Sequence, residues 1–137
     1  MGRMVRVDFD GMRVTGELLD DRAPRICAAI WDALPLDGQA TNVSWSGDML
    51  RLWVTIPEPP EAENVVTLQH PGDILFIPGW NGLRFVYGPA QMRGARGPHP
   101  VPRVGRLRGD LTEFVKRARR VEWEGAKQIT VRREDGR

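Results

Sequence analysis

The sequence predicts a mainly β protein, a closed barrel of about eight strands with two helices capping it. The first observation is a repeated alternation of apolar and polar residues, which is typical of strands. The second is a set of two-residue turn signals, among them Asp10-Gly11 and Asn81-Gly82, which join strands into hairpins. The third is that only two segments have the spacing of an amphipathic helix. The length of 137 residues fits one domain, which we expect over residues 1–137.

Two strands and one helix are predicted in the first forty residues. Residues 5–9 and 12–19 alternate apolar and polar side chains on either side of the first turn signal. Asp20-Asp21 then precedes a helix in which apolar residues recur every three or four positions. Cys27 lies in this helix and is the one cysteine, which excludes an internal disulfide. We interpret it as a buried, inert thiol.

The middle of the chain predicts a series of short strands. A second hairpin is followed by a proline-rich surface loop at residues 57–61. A later run of apolar residues is typical of a strand that is buried on both faces. The predicted strands are residues 40–45, 50–56, 64–68, 74–77 and 83–87.

The last third of the chain predicts a loop, a helix and a strand. Residues 88–109 are rich in glycine, proline and arginine, and we expect a long loop there. Asp110 begins a helix that runs to about Trp123, and the last strand covers residues 128–131. Residues 132–137 are expected to form a frayed tail.

Composition argues against two classes of partner. Residues 101–137 hold eleven basic and six acidic side chains, but 18 of the 20 basic residues of the chain are arginines, a bias typical of a GC-rich genome. The aromatic residues are not interleaved with this basic segment, so we expect no nucleic-acid partner. No apolar run approaches the ~20 residues of a membrane span, and no signal peptide is recognised. We therefore expect a cytoplasmic protein with no membrane partner.

The residue types that hold metals and cofactors are sparse. The two histidines, His70 and His99, are not at the spacing of a metal site. Residues 94–97 lack the strand and helix that a phosphate-binding loop requires, and no nucleophile elbow occurs. We therefore expect no metal and no cofactor.

Several segments carry a resemblance to a known family. Residues 16–31, GELLDDRAPRICAAIW, resemble the start of a cyclophilin, where a strand leads into a short acidic-capped helix with an alanine- or valine-proline pair. Other segments resemble short bacterial and archaeal cyclophilin-like proteins of uncharacterised function, namely Trp45-Ser46-Gly47-Asp48, Pro71-Gly72-Asp73-Ile74, Tyr87-Gly88 and residues 109–129. The resemblance covers most of the chain and implies a cyclophilin-like barrel.

The chain departs from the pattern of true prolyl isomerases. Those enzymes carry phenylalanine, histidine and arginine in succession on the strand after the first helix. This chain has Asn42-Val43-Ser44-Trp45 there. Because no guanidinium is placed at that position to stabilise a twisted amide, the resemblance implies a relative that is not a true prolyl isomerase.

Alternation on the middle strands selects the candidate site. Arg51 and Trp53 lie opposite the residues that fill the barrel, on the external face that cyclophilins use as their groove, and Arg84 joins them. A guanidinium binds a carboxylate in bidentate fashion and an indole supplies flat apolar area, so this surface suits a planar or carboxylate-bearing small molecule. The expected substrate-binding residues are Arg51, Trp53, Arg84, Trp45, Asn42, Ser44, Trp80 and Tyr87.

The function that these features favour is a small-molecule-binding, cyclophilin-like barrel. As an enzyme, such a barrel would be a cofactor-free isomerase, lyase or cyclase acting on a carboxylate- or carbonyl-bearing compound, with His99 and Glu17 as the expected catalytic residues. The alternatives are a module that binds a peptide without isomerising it and a weak peptidyl-prolyl isomerase. Exposed tryptophans also favour a homo-oligomer.

Overall fold

The computed structural model describes residues 2–57, 62–77, 79 and 82–135, in which antiparallel strands close a barrel and two helices pack against it. Neither described helix is long and apolar enough to cross a membrane. The elements are β1 (Met4–Phe9), β2 (Met12–Leu18), α1 (Pro24–Ala33), β3 (Leu36–Asn42), β4 (Gly47–Leu52), β5 (Val65–Val66), β6 (Asp73–Phe76), β7 (Leu83–Ala90), β8 (Arg93–Gly94), β9 (Gly97–Pro98), β10 (Val101–Arg108), α2 (Thr112–Glu124) and β11 (Lys127–Arg133).

Eight of the described strands run around the barrel. Their order is β2, β1, β11, β3, β4, β7, β6 and β10, and β10 pairs back with β2. At this closing seam Leu107 lies opposite Gly16 and Arg106 lies opposite Glu17. Closure leaves these strands without an exposed edge. The predicted closed barrel of about eight strands with two helices is confirmed.

The turn between β1 and β2 shows how local sequence sets this topology. Asp10 has a φ of 49° and Gly11 a φ of 79°, as a type I′ hairpin turn requires. Glycine, and next to it aspartate and asparagine, adopt this left-handed backbone at the lowest cost. The guanidinium of Arg117 in α2 donates a hydrogen bond to the Asp10 carbonyl oxygen. The turn is therefore held against the second helix.

The main core fills the barrel and extends under both helices. Phe9 of β1 and Phe114 of α2 meet edge to face, with ring centroids 5.7 Å apart. Cys27 of α1 is fully buried, and its thiol donates a hydrogen bond to the Val104 carbonyl oxygen at 3.3 Å. Burial raises the pKa of the Cys27 thiol to about 12, so it stays protonated at neutral pH.

A second, smaller apolar cluster lies on the outer face of β4, β6 and β7. Its members are Val43, Met49, Leu75, Ile77, Val86, Met92 and Val101. The segments before β6 and after β7 meet here, because the Met92 backbone N–H donates to the Gln69 side-chain oxygen at 2.6 Å. This covering explains why β6 is buried along its whole length. The outer face of these three strands is therefore packed where the cluster lies.

The expected long loop at residues 88–109 is wrong. Strand β7 continues to Ala90, β8 and β9 form a small hairpin, and β10 is the strand that closes the barrel. Glycines and prolines hide the period-two alternation of this segment. Gly105 is needed for closure, because a Cβ at this position would lie 2.9 Å from the Glu17 carbonyl oxygen.

The expected frayed tail at residues 132–137 is also wrong at its start. Strand β11 extends to Arg133, which lies opposite Val5 of β1. The Glu134 backbone N–H then donates to the Met4 carbonyl oxygen at 3.1 Å. Two consecutive arginines conceal the strand, since one of them, Arg132, is exposed on the outer face while the backbone remains paired.

Candidate functional site

The outer face of the barrel carries a line of residues that we call the arginine row. It consists of Thr41, Arg51, Arg84, Leu75 and Arg103, each opposite the next on β3, β4, β7, β6 and β10. Residues opposite each other on a sheet point to the same face. Because their neighbours along β4 and β7 belong to the main core, the row faces outward. Arg51 and Arg103 are three strand spacings apart, about 14 Å.

Trp53, just after the end of β4, lies beside Arg51 and Thr41 of the row. The Arg51 guanidinium carbon lies 3.6 Å from the centroid of the Trp53 ring, and the indole Nε1 donates to Thr41 Oγ1 at 2.8 Å. Half of the Trp53 surface is exposed, at 51%. Stacking uses the flat face of the guanidinium, whereas a carboxylate binds to the N–H groups at its edge. The stack therefore orients the guanidinium of Arg51.

Arg84 lies beneath this surface and is fully buried. Burial, followed by the positive charge of Arg51, lowers the pKa of Arg84 to about 10. Burial also lowers the pKa of Arg51. Both groups remain charged at neutral pH, since arginine starts from a pKa above 12. Two guanidinium groups on adjacent strands are thus partly removed from water.

Ser44 and Trp45 belong to a different cleft. Gly47 pairs with Ala90 at the far end of β4 and β7 from Arg51, and beside that pair opens a cleft of about 590 Å³. Trp45 and Leu68 line it and are both more than half exposed. The polar lining includes Ser44, His70, Gln91 and Arg93. The structure does not bring this cleft together with Trp53.

Asn42 and Tyr87 lie together at one end of the barrel interior. The Asn42 Nδ2 donates to the Tyr87 hydroxyl at 2.6 Å. Burial, and next the charge of Asp48, raises the pKa of Tyr87 to about 12. Arg119 of α2 pairs with Asp48 at 3.1 Å and lies 5.8 Å from the Tyr87 ring. Helix α2 thus covers this pair, which is on the opposite face of the sheet from Arg51.

The expected catalytic Glu17 is engaged in an ion pair. One carboxylate oxygen accepts the Gly2 backbone N–H at 3.0 Å, and the other accepts the Arg108 guanidinium. These two contacts, the Gly2 bond first, lower the pKa of Glu17. Glu17 and Arg84 are also three strand spacings apart around the barrel, about 14 Å. The carboxylate is therefore not part of the arginine row.

His99 and Trp80 complete the set of expected residues. His99 is exposed after the β8–β9 hairpin, and its backbone N–H donates to the Met92 carbonyl oxygen at 2.8 Å. Its side chain is next to Gly94. Trp80 lies outside the described residues.

Sequence reasoning missed Arg103, the residue at the β10 end of the row. The signal was present as an alternation beginning at Val101, but the surrounding glycines and prolines favoured a loop. It also missed the buried Asp73, whose oxygens lie 3.8 Å from both Arg103 Nη1 and Arg106 Nε. A lone aspartate after Pro71-Gly72 reads as a turn residue, and only strand pairing places it against β10.

Comparisons with known proteins identify a family and a fold. The family model for DUF3830, a protein of unknown function, matches residues 5–132. The structure of McbB in complex with tryptophan is similar, with a TM-score of 0.76 and 22% identity. That match covers 95% of this chain and 44% of McbB, so the chain spans less than half the length of McbB. None of the curated proteins matches the chain.

A second solved structure is similar over its full length. The solution structure of the hypothetical protein AF2241 from Archaeoglobus fulgidus has a TM-score of 0.68 and 19% identity. That match covers 96% of this chain and 95% of AF2241. At these identities the likeness to both structures shows the fold alone. Neither description names a cyclophilin, so the cyclophilin-like resemblance remains a prediction.

Proposed function

The chain belongs to the DUF3830 family, and we propose that it binds a small organic molecule bearing a carboxylate on the outer face of the barrel, against Arg51 and Trp53. The observation that carries the proposal is the stack of Arg51 on Trp53, which Thr41 holds in place through the indole N–H. A pre-oriented guanidinium loses little further freedom when it binds a carboxylate, which favours affinity.

The charge of the site supports an anionic ligand. Arg84 lies buried opposite Arg51, and the field of one guanidinium adds to that of the other. A charge-assisted pair of this kind contributes about 2 kcal/mol, or roughly 30-fold in affinity. The exposed half of the Trp53 indole adds a flat surface for an aromatic or planar group.

The likeness to McbB is consistent with this class of ligand. Its structure was determined in complex with tryptophan, a molecule that combines a carboxylate with an indole. The shared fold covers less than half of that protein. The proposal for this chain therefore concerns the chemical class of the ligand and not the activity of McbB, and it gives Glu17 and His99 no part in this site.

Isothermal titration with three related probes tests the proposal. Tryptophan and indole-3-acetate carry the carboxylate, and tryptamine lacks it. We expect the two acids to bind and tryptamine to bind at least about tenfold more weakly, because the Arg51 pair is lost. The variants R51Q and W53L should each raise the Kd of the acids about tenfold or more.

A matched control and a refuting result make the test specific. Arg13 of β2 is exposed and pairs with Asp8 at 2.9 Å, away from the arginine row, so R13Q should leave the Kd unchanged. Equal affinity for tryptamine and the acids, or unchanged binding in both R51Q and W53L, would contradict the proposal.

A second candidate function, binding of an extended peptide, is favoured by the cleft at the other end of β4. It is open, holds about 590 Å³, and has two exposed apolar side chains, Trp45 and Leu68. Proline-containing peptides prefer such aromatic-lined grooves. Backbone amide shifts on titration with a proline-containing peptide test this: shifts confined to the cleft and lost in W45A support it, and shifts around Trp53 oppose it.

A further inference from the structure

A second cleft, of about 280 Å³, opens between the end of β2 and the outer face of β10. It lies apart from the Arg51–Trp53 stack, because Leu75 separates Arg103 from Arg84 by two strand spacings, about 10 Å. Four arginine side chains reach the cleft, from the turn before α1 and from β10. They are Arg22, Arg103, Arg106 and Arg108.

A β-bulge brings the β10 arginines to one face. In a regular strand, residues three apart such as Arg103 and Arg106 point to opposite faces. The pairing with β6 shifts between Arg103 and Gly105, so Arg103 lies opposite Leu75 while Arg106 lies opposite Asp73, two residues earlier on the same face of β6. Bulges re-aim side chains in this way, often next to functional sites. Both guanidinium groups therefore face the cleft.

The hydrogen bonds of these arginines differ. Arg108 donates through Nε to Glu17 at 2.9 Å and is neutralised by that carboxylate. Arg103 and Arg106 approach Asp73 only at 3.8 Å, beyond hydrogen-bond distance. Asp73 is 2% exposed, and its Oδ2 instead accepts the His70 backbone N–H at 2.9 Å.

The donor groups of the cleft exceed its acceptors. Among the described residues, the buried Nε of Arg103 has no hydrogen-bond partner. The cleft holds four arginines and three carboxylates, counting Asp73 behind it, so its net charge is about +1. The other two carboxylates are those of Glu17 and Asp21. A buried guanidinium N–H without an acceptor costs stability, and an oxyanion in the cleft removes that cost.

We propose that this cleft binds a phosphate group through Arg22, Arg103 and Arg106. The three side chains come from two separate segments and converge on one small space. A tetrahedral phosphate presents acceptor oxygens in several directions and can meet all three, whereas a planar carboxylate matches a single guanidinium fork. The volume is near the lower limit of about 300 Å³ for small-molecule sites, which suits a small phosphomonoester rather than a nucleotide.

Titration with inorganic phosphate and with glycerol 3-phosphate, followed by calorimetry, tests the site in the full chain. We expect both to bind, with affinity that falls as sodium chloride is added. The variants R22Q and R106Q should each raise the Kd about tenfold. These two residues are chosen because both side chains are well exposed, so their replacement leaves the fold intact.

Arg132 supplies the matched control. The Arg132 side chain is 46% exposed and its Nε lies 3.7 Å from Asp8. The Arg106 side chain is similar, because it is 45% exposed and its Nε lies 3.8 Å from Asp73. The variant R132Q should change the Kd less than about twofold. The proposal is overturned if neither phosphate compound binds with a Kd of about 10 mM or lower, which corresponds to about 2.7 kcal/mol. It is also overturned if R132Q weakens binding as much as R106Q. A 20-nucleotide RNA that binds more tightly than glycerol 3-phosphate and depends on the same arginines would also overturn it.

Discussion

Replacement of Arg84 by methionine is expected to make the protein more stable at neutral pH. Arg84 is fully buried, opposite Leu75 and two residues before Val86 on the same outer face of β7. Methionine is unbranched and flexible, and it fills irregular apolar space. The variant R84M therefore keeps the apolar stem within the second cluster and removes the charge.

The magnitude follows from the pKa of Arg84. The fall of the Arg84 pKa from its ordinary value to about 10 corresponds to about 3 kcal/mol against the charged form in the folded state, since each pKa unit is worth about 1.4 kcal/mol. Because the folded pKa lies below the unfolded one, this cost is complete below about pH 10 and disappears as the pH rises past the unfolded pKa. Imperfect repacking offsets about 1 kcal/mol, which leaves a gain of about 2 kcal/mol.

Urea unfolding followed by tryptophan fluorescence measures this gain. The free energy of unfolding of R84M should exceed that of the wild type by the same amount at pH 6 and pH 8, because both lie far below the pKa of the buried group. R132M, at an exposed site, should change stability by less than about 0.5 kcal/mol. A loss of more than about 1 kcal/mol in R84M would refute the reasoning and show that the guanidinium stabilises the fold.

Three further predictions concern single residues. The Cys27 thiol, with a pKa of about 12, should react with Ellman's reagent only after denaturant is added. Tyr87 is the one tyrosine, so absorbance at 295 nm should show its ionisation near pH 12 in the folded protein and near pH 10 in the unfolded chain. Because the folded pKa is the higher one, the free energy of unfolding should fall as the pH rises from about 10 to about 12. G47A should lower the free energy of unfolding by about 2 kcal/mol more than G97A. Both glycines have positive φ, but only at Gly47 would a Cβ meet the Pro89 carbonyl oxygen, at 2.6 Å.

The elements of the barrel with strong local signals could be predicted from the sequence. The Asp10-Gly11 turn has the backbone that this pair favours, and α1 and α2 follow their apolar spacing. In each of these cases the residues that decide the structure are within one turn or one helix. Strand β10 has only a weak alternation of its own, and its place is decided by pairing with β2 and β6, which are distant in the chain.

The candidate site was predictable only in part for the same reason. Alternation along β4 is enough to place Arg51 on the outer face, opposite the core. It does not reveal that Arg84 is fully buried, because alternation gives the face of the strand and not what covers that face. Alternation along β7 does place Tyr87 on the face opposite Arg84, with Phe85 in the main core.

The position of β11 between β1 and β3 has a consequence for how the chain folds as it is synthesised. The last described strand, β11, pairs with both β1 and β3, so each of these two early strands has an unpaired edge until β11 has been made. Contacts between such distant parts of the chain slow folding, and open strand edges invite pairing with other molecules. A nascent chain arrested before β11 is therefore the species most exposed to aggregation and to capture by chaperones.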